Sequence, residues 1–189
     1  MVNKLKKEIQ DHIDLTYHVK EELPVKIAQA AHEIILAINN SKKLILFGNG
    51  GSAADAQHIA AEFTGRFVKE RRGLPAISLT TDTSALTAIG NDYGYDVVFS
   101  RQVEALANEG DVIIGISTSG SSLNVIKGIE KGKERGCYTI SLTGKDGGEL
   151  SKLTDLNINI NHSVTARIQE MHILVGHLIC LLVDEISLS

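Results

Sequence analysis

The sequence predicts an α/β fold: a doubly wound, five-stranded parallel sheet with extra N-terminal helices. After residue 40, short apolar segments alternate with helical patterns, which is typical of parallel strands joined by crossover helices. Residues 112–116 are almost continuously apolar, as expected of a strand covered on both faces. Clusters of Gly, Ser and Thr follow the strands, where open α/β sheets bind ligands. We therefore expect one domain over 1–189, with helices in 1–40 and the α/β core in 41–189.

Length and composition are those of an ordinary globular domain. The 189 residues are 43% hydrophobic and 22% charged, with a formal net charge of −4. Basic residues are scattered apart from a group at 69–72, so no nucleic-acid partner is expected. No signal-peptide core and no run of transmembrane length is recognised, so no membrane partner is expected. Cys137 and Cys180 are predicted to be buried free thiols, which indicates a cytoplasmic protein.

Two helices are predicted before the alternation begins, at 2–20 and 25–39. Pro24 separates them, because a proline disfavours helix in the residue before it. The second helix carries an apolar stripe of Ile27, Ala31, Ile34, Ile35 and Ile38. Such stripes need a surface to cover. In a chain of this length that surface is often another subunit.

The core elements follow in order. Strands are predicted at 44–47, 76–79, 112–116, 138–142 and 156–160. Helices are predicted at 53–67, 84–89, 97–107, from 123 onward, and at 165–186. The segment 90–94 is predicted to separate two of these helices. The fifth strand alternates Ile with Asn, which suits the edge of a sheet.

The turn after the third strand is predicted to bind phosphate. Five of the six residues 117–122 carry hydroxyls, and a helical pattern follows at once. The first turn of a helix offers unpaired N–H donors and the positive end of the dipole. No Lys or Arg lies in the turn, so dipoles rather than ion pairs would hold the anion. The alternative is that Ser121 or Ser122 only caps the helix.

The turn after the first strand, 48–53, matches a loose G-x-G-x-x-A dinucleotide pattern. That pattern also requires an acidic residue roughly 20 positions later, whereas the next strand ends at Asp82, roughly thirty residues on. A glycine turn that lets the backbone approach a sugar fits better.

Two helices carry residues suited to chemistry. His58 and Glu62 stand four residues apart and share a face with Asp55, so they can hold a divalent metal or act as an acid/base couple. The alternative is an ordinary surface pair. Gln169 and His177 lie roughly 12 Å apart along the last helix, which suggests that neighbouring subunits contribute to one site. In the same helix, His172 is predicted to be a hydrogen-bonded core residue.

Five ordered segments carry a family resemblance. They are GNGGSAADAQHIAAEF, GNDYGYDVVFSRQVEAL, GDVIIGISTSGSSLNVI, SLTGKDGGEL and TARIQEMHILVGH. Together they resemble the phosphoheptose isomerases, which belong to the sugar-isomerase (SIS) domain family and have a flavodoxin-like SIS fold. The resemblance implies isomerisation of sedoheptulose 7-phosphate to D-glycero-D-manno-heptose 7-phosphate through an enediol, the first step of ADP- or GDP-heptose synthesis for lipopolysaccharide or capsule.

The resemblance also implies roles for particular residues. The phosphate would be held by Ser117, Thr118, Ser119 and Ser122. The sugar chain would contact Asn49, Gly50, Gly51, Ser52, Asn91 and Asp92. One Zn²⁺ per subunit would be bound by His58, Glu62, Gln169 and His177, and of these Glu62 and Gln169 would also face substrate. The family is homotetrameric with active sites at subunit interfaces, which would give the leading helices a partner.

Glu62 and His177 are the implied catalytic acid/base pair. Aldose–ketose isomerisation moves one proton between C1 and C2 and another between their oxygens. Glu62 is predicted to be the carbon base, and His177 to serve the oxygens.

Two SIS alternatives differ in class: a protein that binds the bacterial replication initiator, and a sugar-phosphate-sensing module. The initiator-binding relative lacks the acidic residue at the Glu62 position and the His at the His177 position. This chain has both, which favours an enzyme. One departure from the isomerase pattern is Ala166, where many of these enzymes have Asp.

Overall fold

Parallel strands form one sheet in the computed structural model, which describes residues 1–185. The strands are β1 (Leu44–Gly48), β2 (Ala76–Ser78), β3 (Val112–Ser117), β4 (Tyr138–Gly144) and β5 (Leu156–Ile160). Within the described range they pair in the order β2-β1-β3-β4-β5, and every pairing is parallel. This order is that of a doubly wound, flavodoxin-like sheet, so the predicted fold class is confirmed.

Helices cover both faces of the sheet. They are α1 (Val2–Glu22), α2 (Pro24–Asn39), α3 (Gly51–Thr64), α4 (Thr83–Tyr93), α5 (Val98–Leu106), α6 (Leu123–Glu134), α7 (Leu150–Leu153) and α8 (Thr165–Glu185). The larger hydrophobic core joins α1, α2, α3 and α8 to one face. The smaller core joins α5, α6 and α7 to the other face. This division places α3 and α8 side by side on one face, with their amino ends at the carboxyl ends of the strands, where a ligand site is expected.

The bounds of α3 and α4 differ most from the predictions. The predicted break at 90–94 is wrong, because α4 continues through Gly90 to Tyr93 and ends at Gly94, whose φ is +89°. Asp82 fixes its start by accepting a hydrogen bond from the Ala85 N–H. The helix predicted at 53–67 begins at Gly51 and ends at Thr64. The final residue predicted for the last helix, Ile186, lies outside the described residues.

The two leading helices differ in what covers them. The apolar stripe of α2 is buried within this chain, against α8 and the sheet. In contrast, α1 buries only Leu15 and Val19. Its exposed apolar side chains recur about every four residues, at Leu5, Ile9, Ile13 and Tyr17. This exposed stripe on α1 is the surface still in need of a partner.

The last helix, α8, is long and strongly apolar. Among residues 1–185, α8 alone has the length and composition of a membrane span, so the expectation that no segment reaches that length is wrong. In the structure, 44% of the most apolar 18-residue window of α8 is buried. It packs against α1, α2, α3 and the sheet, as the core helix of a globular domain does.

The edge strand β5 is tied to its surroundings by polar groups. The Asn157 side chain donates to the hydroxyls of Ser141 and Thr143, both at 2.8 Å. Lys26, which lies on α2, donates from its ammonium to the Asn157 carbonyl at 3.0 Å. The predicted edge position of this Ile/Asn strand is confirmed.

Both cysteines are buried free thiols, as predicted. Burial raises the pKa of Cys137 to about 11 and the pKa of Cys180 to about 12. Both thiols therefore stay protonated at neutral pH.

His172 is fully buried in the core, as predicted. Its Nε2 donates to the Thr143 carbonyl at 2.9 Å, and its Nδ1 has no hydrogen-bond partner among residues 1–185. Burial lowers the pKa of His172 from 6.5 to about 4, although the bond to Thr143 opposes that shift. The imidazole is therefore neutral in the folded protein at physiological pH.

We expect His172 to make the protein less stable as the pH falls from 6.5 towards 4. In that window the unfolded chain binds a proton on His172 that the folded chain does not, so acidification favours unfolding. The pKa difference corresponds to a loss of at most about 3 kcal/mol. Urea unfolding of wild type and His172→Gln at pH 7.5 and 4.5 measures it. His32→Gln, at an exposed position, is the control, and an equal pH dependence in all three proteins would contradict the prediction.

Candidate active site

A pocket of about 290 Å³ opens at the carboxyl edge of the sheet. The turn after β1, the turn after β3 and the start of α8 meet there. The lining residues are Asn49, Gly50, Gly51, Ser52, Ile116, Ser117, Thr118, Ser122, Thr165 and Gln169. Most of the residues predicted to contact substrate are thus brought to one place. The shared edge explains this convergence, because neighbouring parallel strands end there together.

The hydroxyls of the turn after β3 bond to one another. Ser117 Oγ lies 2.8 Å from Ser122 Oγ and 3.4 Å from Ser119 Oγ. Ser119 Oγ also accepts from the Ser121 N–H at 3.2 Å. Ser122 stands at the N-cap of α6, yet within the described part of the chain its side chain makes no capping hydrogen bond. The capping alternative therefore does not explain these serines, and the geometry favours an anion site.

Gly120 lets the serine turn pack against the loop after β4. Its φ is +66°, and a Cβ at this position would lie 2.5 Å from the Gly147 carbonyl carbon and 2.9 Å from the Gly148 nitrogen. The Gly120 carbonyl accepts from the Leu150 N–H at 3.0 Å. Because backbone packs on backbone here, the turn has one fixed shape.

The turn after β1 gives a second helix N-terminus to the same pocket. Gly50, with φ of +57°, is the N-cap residue of α3, and as a glycine it has no side chain that could cap the helix. A Cβ on Gly51 would lie 2.9 Å from Gln169 Cδ, so the Gln169 amide rests directly on the glycine. The N–H groups of Ser52 and Ala53 already donate to the carbonyls of Asn49 and Gly50. The starts of α3 and α6 therefore bring two positive helix-dipole ends to one pocket, without a Lys or Arg in either turn.

Asn124 and Tyr95, neither of which is predicted from the sequence, support this pocket by hydrogen bonds to Asn49. Asn49 and Asn124 exchange amide hydrogen bonds, each of 2.9 Å. Tyr95 Oη donates to Asn49 Oδ1 at 3.4 Å. Asn124 lies in the first turn of α6, a position whose polarity was the available signal. The pair joins the two turns, so the β1 turn cannot shift independently of the β3 turn.

Further along α3 and α8, three side chains form a second cluster. His58 Nε2 lies 3.1 Å from Glu62 Oε1 and 3.4 Å from His177 Nε2. The possible ligand atoms of His58, Glu62 and His177 all lie within 4.8 Å of one another. Phe67 packs against the His177 ring, with ring centroids 5.5 Å apart. Two imidazoles and a carboxylate at these distances can bind zinc or exchange protons.

The helices α3 and α8 run side by side in the same direction. Gly51 meets Gln169 at their amino ends, and Ile59 meets Gly176 further along. A Cβ on Gly176 would lie 2.5 Å from Ile59 Cδ1, so the two helices are in close contact beside the His/Glu cluster. The pocket therefore lies at one end of this helix pair, and the cluster lies roughly 10 Å away along α3.

Asp55 lies on α3 between the pocket and the cluster. One carboxylate oxygen, Oδ2, is buried and has no hydrogen-bond partner within the described residues. Burial raises the pKa of the Asp55 carboxyl, and the charge of His58 opposes that rise. The sequence places Asp55 on this helix face but predicts no role for it in the site.

The remaining predicted site residues stand outside the pocket lining. Asn91 and Asp92 are exposed in the last turn of α4, where the Asn91 amide donates to the Asp92 carboxylate at 2.8 Å. Gln169 lies at the pocket, so its place among the ligands of the His/Glu cluster stays a prediction. Ala166 is exposed near the start of α8.

The model of the SIS domain family matches residues 9–144 of this chain. The match covers the first four strands and both of the polar turns described above.

Curated relatives extend the likeness over nearly the whole chain. A phosphoheptose isomerase of Nitratiruptor is 58% identical over 98% of this chain and 99% of its own length. A probable phosphoheptose isomerase of Thermoplasma acidophilum is 60% identical over 85% of this chain and 88% of its own length. Among solved structures, a phosphoheptose isomerase from Neisseria gonorrhoeae superposes with a TM-score of 0.92 at 46% identity, covering 97% of this chain and 98% of that one.

Proposed function

Because this chain belongs to the SIS-domain family, and within it to the phosphoheptose isomerases, we propose that the pocket and the His/Glu cluster together form its active site. The chain is an isomerase that interconverts sedoheptulose 7-phosphate and D-glycero-D-manno-heptose 7-phosphate in heptose biosynthesis. Its relatives described above are isomerases, which speaks against the initiator-binding and sensing alternatives.

The main support for this active site is that it has two chemically different ends. The phosphate of the substrate is on C7, and the reacting carbons are C1 and C2, at the other end of the chain. The protein likewise has a dipolar pocket at the start of α3 and an acid/base cluster two turns along the same helix. An extended sugar phosphate lying along α3 would occupy both.

The phosphate end supplies binding energy away from the reacting bonds. The helix dipoles at the starts of α3 and α6 and the hydroxyls of Ser117, Thr118, Ser119 and Ser122 would hold the anion. That binding would fix the reacting end against the cluster and so lower the entropic barrier.

Proton transfer is assigned to Glu62 and His177. In the ketose-to-aldose direction, the Glu62 carboxylate takes the proton from C1, and an enediol forms as the C1–C2 double bond develops. Glu62 then returns the proton to C2. His177 takes the proton from the C1 hydroxyl and gives it to the C2 oxygen, so charge and atoms balance. Asp55 lies on the same helix face and adds a carboxylate oxygen without a partner among residues 1–185.

The donor set fits zinc. Two imidazole nitrogens and one carboxylate oxygen form a three-residue donor set of the kind found in catalytic zinc sites. Bound there, the ion would supply positive charge that stabilises negative charge on the sugar oxygens. His58, Glu62 and His177 would hold it, and Gln169 is the fourth ligand that the family resemblance implies. Because a carboxylate has two oxygens, Glu62 can face the ion with one and the substrate with the other.

An NMR time course tests the function. Metal-stripped protein and protein with zinc restored are each given sedoheptulose 7-phosphate, and the aldose signal is followed. We expect turnover with zinc and at least about 100-fold less without it, because removal of metal takes away charge stabilisation at the oxygens. Equal turnover in both samples would contradict a catalytic metal but support the isomerase. No turnover in either sample would contradict the isomerase.

We further propose that the chain assembles as a homotetramer in the cytoplasm, with its phosphorylated seven-carbon substrate as the other partner. The exposed α1 stripe supports assembly, since it is apolar and uncovered in the single chain. In addition, α1, α2 and α8 enclose an apolar groove of about 580 Å³. The two buried free thiols support a reducing compartment.

Light scattering tests the assembly. We expect wild type to have the mass of four chains and the double variant Ile9→Glu/Ile13→Glu to have a smaller mass, because charges replace the centre of the α1 stripe. The control is Lys7→Glu, two residues from Ile9 and hence on another side of α1. A double variant with the wild-type mass would contradict the role of this stripe.

A further inference from the structure

We propose that Arg71 and Asp184 form a positioning pair that sets the spacing between the cluster residues on α3 and His177 on α8. The inference rests on the proposed function of that cluster and concerns how it is kept in place. Neither residue belongs to the predicted site. Both lie just beyond its far end, where α3 and α8 finish.

Arg71 closes the carboxyl end of α3. Its guanidinium donates to the carbonyls of Glu62 at 2.9 Å, Phe63 at 3.0 Å and Gly65 at 3.3 Å. The last carbonyls of a helix have no partners within the helix, and a planar, five-donor guanidinium can satisfy several of them at once. One of these carbonyls belongs to Glu62 itself, so Arg71 fixes the backbone of the proposed carbon base.

Asp184 anchors the same guanidinium to α8. Asp184 Oδ1 accepts from Arg71 Nε at 2.6 Å, and Oδ2 accepts from the Val68 and Lys69 N–H groups at 2.7 and 2.9 Å. The Asp184 side chain is 1% exposed and the Arg71 side chain 10%. Such a buried, charge-assisted bond holds a defined geometry better than a surface ion pair does.

The Arg71–Asp184 pair lies close to the part of α3 and α8 that carries the His/Glu cluster. Asp184 follows His177 by seven residues, which is two turns on the same helix face. Ile59 and Gly176 already bring α3 and α8 into contact beside His58 and His177. With contact at that point and the Arg71–Asp184 pair at the end, neither helix can slide or rotate against the other. The 3.4 Å separation between the His58 and His177 nitrogens depends on that register.

The chain offers a matched control at the opposite edge of the sheet. Asp111 is also 1% exposed, pairs with Lys43 Nζ at 2.6 Å and accepts from two backbone N–H groups. It lies at the amino end of β3, whereas the active site lies at the carboxyl end. Removing its charge should harm stability in the same way without touching the cluster.

The experiment compares Asp184→Asn, Arg71→Lys and Asp111→Asn in the full chain. Three quantities are measured: the melting temperature, kcat and KM for sedoheptulose 7-phosphate, and the affinity and visible spectrum of bound Co²⁺. We expect Asp184→Asn to lower kcat about 10- to 100-fold, with little change in KM. Co²⁺ affinity should fall about 10-fold, with an altered spectrum. Arg71→Lys should show a smaller loss of both, since it keeps the charge but loses the planar fork.

Asp111→Asn should melt at a lower temperature but keep the kcat and the Co²⁺ spectrum of wild type. If Asp184→Asn and Arg71→Lys behave like this control, the pair is only structural and the inference is overturned. If Asp184→Asn does not fold, Arg71→Lys decides on the same measurements. Wild type that binds Co²⁺ without turning over substrate would overturn the proposed function, while the Co²⁺ affinities of the variants would still decide the role of the pair.

Discussion

Replacing Glu62 by Gln is expected to lower kcat by about 10²- to 10⁴-fold, the range that a positioned general base contributes. The amide keeps the shape of the carboxylate and can still bond His58, whose Nε2 lies 3.1 Å from Glu62 Oε1. It cannot accept a proton from C1. The measurement is the NMR rate of isomerisation, together with loss of deuterium from C1-labelled substrate. Both rates should fall together, and KM should change much less.

The control for this variant is Glu130→Gln, an equivalent change at an exposed position on α6. It should leave both rates at their wild-type values. If Glu62→Gln isomerises at a rate close to wild type, another group removes the proton from carbon. The partly buried Asp55, whose pKa is raised by burial, would then be the residue to replace next.

Gly120→Ala is expected to disrupt the proposed phosphate site and to destabilise the fold by about 3 kcal/mol. The new Cβ would press on the backbone of Gly147 and Gly148, which cannot turn aside as a side chain can. A left-handed φ adds strain for any residue with a Cβ. Urea unfolding measures the stability, and the KM of the phosphorylated substrate measures the site. We expect KM to rise by at least about 10-fold, because the serine hydroxyls would be displaced.

Gly136→Ala separates the strain of a positive φ from the effect of close backbone packing. Gly136 also has a positive φ, of +75°, but the nearest atom to a Cβ there would be Cγ of the Glu109 side chain, at 3.0 Å, and the Glu109 backbone would be no closer than 3.6 Å. This variant should lose about 1 kcal/mol of stability and keep the wild-type KM. If the two alanine variants were equally stable and equally active, close packing of the serine turn would not be what shapes the phosphate site.

The sheet and the pocket could be predicted because they depend on patterns local in sequence. Apolar runs specify buried strands, and the turns after β1 and β3 must meet because parallel strands share an edge. The predicted end of the 84–89 helix failed for a related reason. A glycine inside a helix costs only about 1 kcal/mol, so Gly90 could not be told apart from the true stop at Gly94.

Side-chain pairing between distant residues could not be predicted in the same way. Nothing local to Asn49 indicates Asn124, and nothing local to Asp184 indicates Arg71. The spacing of Gln169 and His177 along α8 predicts that they lie too far apart for one small site in a single chain. In the structure α3 runs parallel to α8, so Gly51 contacts Gln169 and His58 contacts His177.

The two edge strands of the sheet are poor templates for pairing with a strand of another chain. An open strand edge is a template for another chain, and natural proteins block it with short strands and lysines. Here β2 is three residues long, and Lys26 takes the Asn157 carbonyl on β5. Contact between copies of the chain through a strand edge is thereby disfavoured, which leaves the exposed helix surface for the proposed assembly.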